Sequence, residues 1–338
     1  MRAIIYDPQQ KNMDNMFYEK GVNPEDNNVW HEIQTRFHAI GFELYTPNTY
    51  PGRLEDVSWV IFQNMPQSFK PTNLRRRFKR FIKRLTGDLT FYQKCVKAGL
   101  SQRISVILYE PEVVAEFSYD KNYHKLFSAI FTWDEELIRL GNRYKKFVYP
   151  QPNFIPLKNT VPFEERKLIC NFSANKKSSH ENELYSARIK TIKFFEENCL
   201  EDFDHYGRGW STEYKSWRGS VEDKEKTMGN YRFNLCYENA INFRGYLTEK
   251  IFDSLISGCV PIYLGTPDIH NRVASEAFID RSQFGSDAEL LTFIKSVDQT
   301  QWQAYVDAGQ AFLASKTYQK YTPNGIFKLL KSGLSLNH

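Results

Sequence analysis

The residues best suited to chemistry gather in one stretch of the 338-residue chain, YRFNLCYENAINFRGYLTEKIFDSLISGCVPIYLG, from Tyr231 to Gly265. Its spacing predicts strand, loop, helix and strand: Thr248 is placed to cap a helix whose apolar face is Ile251, Phe252, Leu255 and Ile256, and Gly258 ends it before VPIYL. Glu238, Asn239 and Tyr246 then fall at strand or loop ends facing the new helix, with Glu249 and Lys250 in its first turn. Open α/β sheets bind ligands at the carboxyl ends of strands, and a helix N-terminus offers free N–H groups and the positive end of a dipole. A diphosphate fits such a place. Lys250 adds a full positive charge, which meets the main electrostatic demand of sugar transfer, the charge on a departing nucleoside diphosphate. Simpler roles exist for the same residues. Glu249 also compensates the helix dipole, Glu238 also satisfies backbone donors, Tyr246 also suits a core and Asn239 a turn.

Elements of the same rhythm surround this stretch. MRAIIYD, FELYTP, VSWVIFQN and ISVILYE read as strands, and VWHEIQTRFHAIG as a helix ending at Gly41. After the prolines of VYPQPNFIPLKNTVPF, which disfavour helix and central strand, the pattern resumes. KLICNFSAN, FDHYG and YRFNLCYEN read as strands, ENELYSARIKTIKFFEEN as a helix, and Ser286 with Glu289 as a capping box. The expectation is two α/β domains, 1–155 and 156–322, each on a largely parallel sheet, with residues 323–338 crossing back to the first.

Composition narrows the partners. Net charge is +5, yet the seven cations from Arg75 to Arg84 exceed it, so the basicity is local. In TNLRRRFKRFIKRL, Leu74, Phe78, Phe81, Ile82 and Leu85 share one helical face. Residues 72–85 therefore suit either packing on the first domain or peripheral contact with an anionic membrane face. Nucleic-acid binding is disfavoured, since no recognition fold accompanies the patch. Five cysteines without a close pair read as reduced thiols, and the first residues form no leader or anchor, so the expected compartment is the cytoplasm. Asp202 and Asp204 spell DFD, a metal-clamp look-alike that precedes its strand remnant rather than following a buried strand. No histidine or cysteine spacing suits zinc, and no metal is expected.

Taken together, YRFNLCYEN and GYLTEKIFDSLISGCVPIYLG resemble the signature of the family 10 α-1,3/4-fucosyltransferases, with the loop AINFR slightly longer than usual. The resemblance implies a GT-B glycosyltransferase fold, two Rossmann-like α/β domains facing a central cleft. It also implies inverting transfer of L-fucose from GDP-fucose to a hydroxyl of a glycan acceptor, the 3-OH of GlcNAc or a similar sugar, with no cofactor and no strict need for metal. On that pattern Arg188 grips the donor's β-phosphate, and Asn239, Tyr246, Thr248, Lys250 and Glu238 line the donor pocket. Glu249 stabilises charge at the anomeric carbon. Glu110, in LYEPE at the end of a strongly apolar strand, resembles the family's Glu-Ser-Pro element and becomes the general base. The alternative is the same scaffold using another nucleotide-sugar donor in surface polysaccharide or lipopolysaccharide synthesis.

Overall fold

The computed structural model describes residues 1–7, 17, 29–72, 89–157 and 161–336. The basic segment singled out above therefore lies outside the described residues from position 73 on. The described residues form two compact units, Met1–Pro152 with Tyr321–His338, and Asn153–Lys320.

In the first unit β1 (Arg2–Tyr6), β2 (Glu43–Tyr45), β3 (Trp59–Gln63), β4 (Ile104–Leu108), β5 (Ala129–Thr132) and β6 (Tyr144–Lys146) make one sheet in the order β2-β1-β3-β4-β5-β6. Every neighbouring pair is parallel. All residues of ISVIL in β4 and AIFT in β5 are buried, as a parallel sheet covered on both faces requires. The helix Val29–His38 buries Ile33 and Phe37, and the last helix, Pro323–Gly333, packs beside it with Phe327 and Phe37 ring centroids 4.9 Å apart. Gly333 lies so close to the sheet that a Cβ there would come within 2.3 Å of Phe131.

In the second unit β7 (Lys167–Phe172), β8 (Phe203–Tyr206), β9 (Tyr231–Tyr237), β10 (Val260–Leu264) and β11 (Ile279–Asp280) are again all parallel, in the order β11-β10-β9-β7-β8. The chain leaves β7 toward β8, then returns to the other flank of β7 at β9. Their carboxyl ends therefore diverge at a topological switch point, where open sheets hold ligands. Ile169, Ile192, Phe195, Phe233, Ile262 and Leu290 fill the core behind it.

Three local details differ from the sequence reading. The helix expected from Glu181 begins at Tyr185, because residues 182–184 instead pair with the loop after β9: Leu184 N–H donates to Asn239 O (3.1 Å) and Ile241 N–H to Asn182 O (2.9 Å). Ser286 does cap its helix through Glu289 N–H, but the Glu289 carboxylate reaches Gly285 N–H rather than the cap residue, so no reciprocal box forms. A 15-residue helix, Gln299–Leu313, carries the full box instead, formed by Asp298 and Gln301.

Candidate active site

At the switch point of the second unit, β9 ends in Tyr237, followed by Glu238, Asn239 and a loop leading to the helix Glu249–Ile256. Thr248 caps that helix by accepting from Lys250 N–H. Gly258, with φ +64°, supplies the left-handed turn that ends it. Glu238 is fully buried, and its carboxylate accepts Thr248 N–H (2.9 Å), the Thr248 hydroxyl (2.7 Å) and Lys250 Nζ (3.3 Å). One buried carboxylate thus fixes both the cap and the cation of the helix start. A buried charge needs this many partners to be tolerated.

The Glu238 carboxylate is thus engaged by Thr248 and Lys250, and its bond from Thr248 N–H matches the backbone-donor role that the sequence also allowed. Arg188, in the fourth position of the helix Tyr185–Asn198, is only 3% exposed. Its Nη2 donates to the carbonyls of Tyr237 and Glu238, both at 2.8 Å, which ties the helix to the end of β9. Burial lowers its pKa. Tyr246 is buried and its hydroxyl accepts from Asn239 Nδ2 at 3.3 Å, bridging the two ends of the loop. Arg188, Glu238, Asn239, Tyr246, Thr248, Glu249 and Lys250 are therefore brought together in the second unit.

Glu249 is the exposed member. Its side chain is 49% accessible, and Lys250 Nζ lies 3.4 Å from its Oε1. Surrounding protein pushes its carboxyl upward, but the charges of Lys250 and Lys224 outweigh this and hold it at about 2. Lys250 itself is raised: burial works against its charge, and Glu249 and Glu238 more than restore it. A permanent carboxylate and a permanent ammonium thus stand side by side at a helix N-terminus.

The sequence reading passed over Lys224 and Asp268. Lys224 donates to Asp253 at 2.5 Å and sits 5.9 Å from the centroid of the Phe172 ring, at the end of β7. Asp268 accepts from Gly245 N–H (3.1 Å), from the Thr266 hydroxyl and from Arg272 (2.6 Å), anchoring the loop after β9. The Lys224–Asp253 and Asp268–Gly245 contacts span long separations, which no local spacing announces. Asp204 of the DFD run is a structural hub, bonded to Lys167 (2.9 Å), Arg218 (2.6 Å) and Tyr231 (2.7 Å).

Glu110 belongs to the first unit, two residues past β4. The carbonyl before it, of Tyr109, accepts both the Trp133 indole N–H (2.9 Å) and the Tyr149 hydroxyl, and Glu110 O accepts the Tyr119 hydroxyl (3.1 Å). Three aromatic side chains thereby fix the backbone that carries this carboxylate.

Two Rossmann-like parallel units, one with a helix N-terminus, a lysine and a carboxylate at its switch point, define a GT-B glycosyltransferase fold. A solved α1,3-fucosyltransferase with GDP superposes with a TM-score of 0.56 at 14% identity, over 99% of this chain and 90% of that one. An α-glucosyltransferase in complex with UDP gives 0.58 at 11% identity, over 99% and 100%. Residues 163–323, which make up most of the second unit, match the family model of glycosyltransferase family 10 (fucosyltransferase) C-term. The Helicobacter pylori alpha-(1,3)-fucosyltransferase FucT is 35% identical over 88 residues, 26% of this chain and 18% of that protein. The aligned stretch is thus under a fifth of that relative's length.

Proposed function

We propose that the chain is an inverting fucosyltransferase that moves L-fucose from GDP-fucose onto a hydroxyl of a glycan acceptor, the 3-OH of GlcNAc or a similar sugar. The observation that carries this reading is the pairing of Lys250 with Glu249 at the helix start beside β9. The acceptor oxygen attacks the anomeric carbon as its proton passes to a carboxylate, and the bond from that carbon to the diphosphate oxygen breaks. Negative charge accumulating on the diphosphate meets Lys250 and the N–H groups of the first turn, both already oriented. The half-exposed Glu249 carboxylate, ionised at any working pH, offsets positive charge on the sugar ring. Arg188 and Glu238 hold these groups in place from beneath. Glu110 takes the role of general base on the family resemblance, with its rigid backbone in support.

A transfer assay with GDP-fucose over a panel of glycan acceptors tests the proposal. Glu110→Ala is expected to lower kcat by about a hundredfold or more while GDP affinity is retained. Transfer from a UDP-sugar in preference to GDP-fucose overturns the donor assignment, and undiminished turnover in the variant removes Glu110 as the base.

A further inference from the structure

Beside the edge strand β11 of the second unit, three side chains from three short segments meet in one hydrogen-bonded line. His270 lies in the helical turn Ile269–Asn271, Ser275 opens the turn Ser275–Ala277, and Asp280 ends β11. Ser275 Oγ is 2.9 Å from His270 Nδ1, and His270 Nε2 is 3.0 Å from Asp280 Oδ2. A carboxylate only accepts, so the ring proton resides on Nε2 and the Nδ1 lone pair receives the Ser275 hydroxyl. Asp280 is itself fixed, its Oδ1 accepting Ser282 N–H (2.9 Å) and the Ser282 hydroxyl (2.6 Å). Burial works against its charge, but these bonds and His270 prevail and keep the carboxyl below its usual range.

The line opens on a cavity. Ser275, His270 and Asp280 all border a pocket of about 310 Å³ whose other walls include Gln283, Phe284, Phe293 and Tyr305. Ser275 is exposed, the His270 side chain is 44% accessible and Asp280 only 15%. Nucleophile and base thus face solvent while the orienting acid is withdrawn, the order of access that serine hydrolysis requires.

We propose that Ser275, His270 and Asp280 form a second catalytic site, which hydrolyses small carboxylic esters whose acyl group enters the aromatic pocket. Ser275 Oγ attacks the acyl carbon as its proton passes to His270 Nδ1. The bond from the acyl carbon to the alcohol oxygen breaks, and the alcohol leaves with that proton. Water then attacks the acyl-serine, giving a proton to Nδ1; the bond to Oγ breaks, Ser275 recovers the proton, and the carboxylic acid departs. Gln283, which also lines the pocket, is assigned as the side-chain donor to the oxyanion. The two ring nitrogens are interchanged relative to the usual serine triad, and either is a competent base.

The test uses the full chain with p-nitrophenyl acetate and butyrate, and a fluorophosphonate probe located by peptide mass spectrometry. The expected result is an adduct on Ser275 and hydrolysis that falls about a hundredfold or more in both Ser275→Ala and Asp280→Asn. Sugar transfer in Ser275→Ala stays at the wild-type level, so the outcome is independent of the donor assignment. Absence of an adduct on Ser275, or equal hydrolysis by Ser275→Ala and wild type, overturns the proposal.

Discussion

Glu238 shows how much a single side chain organises at this site. Fully buried, it receives the cap of one helix and the ammonium of Lys250, while its own carbonyl accepts from Arg188. Removing one member of a buried ion pair strands the other, so Glu238→Ala is expected to cost about 3–5 kcal/mol of stability, measured by urea unfolding. A loss below about 1 kcal/mol would mean that water replaces the carboxylate at little cost. The types and order of these residues were legible in the sequence because strand, cap and first turn are local patterns. Their orientation was not. Nothing in the spacing of Arg188 tells that its guanidinium turns inward to the carbonyls of Tyr237 and Glu238, at the end of a strand about fifty residues later in the chain.

Strands and helices place that site by simple means, and most of them could be read from alternation and caps. The exceptions were set by tertiary pairing. Residues 182–184 gave up a helical turn to pair with the loop after β9, and the two-residue β11 is too short for any periodicity to reveal. On the edge strand β8, His205 is buried, with Nδ1 2.8 Å from Ser216 Oγ. Burial pushes its pKa from 6.5 to about 4, outweighing the opposing charge of Glu196. The unfolded chain therefore takes up a proton near 6.5 that the folded chain refuses until about 4, and stability is lost as pH falls across that window. His205→Gln should flatten this segment of the stability profile, as judged from urea midpoints between about pH 7 and about pH 4. An unchanged slope would show that His205 charges in the folded state without penalty.

Considered whole, the chain is two parallel α/β units, and the second is interrupted by none of the first. The first is completed from afar: its last helix, Pro323–Gly333, follows the entire second unit in sequence. Leu330 is fully buried there, so Leu330→Ala is expected to destabilise the first unit by about 2–5 kcal/mol. Hydrogen exchange should accelerate in residues 1–152 while 153–320 keep their protection; uniform acceleration would mean that the units unfold as one. Likeness of fold extends equally to a fucosyltransferase with GDP and a glucosyltransferase with UDP, so the donor is decided by the site rather than by the scaffold.

That decision is most directly measured by isothermal titration of GDP and UDP into the wild-type chain and into Lys250→Gln. If a guanosine diphosphate rests at the start of the helix Glu249–Ile256, GDP binds more tightly than UDP, and the variant loses at least about tenfold in GDP affinity. Equal GDP affinity in the two proteins, or a preference for UDP, contradicts it.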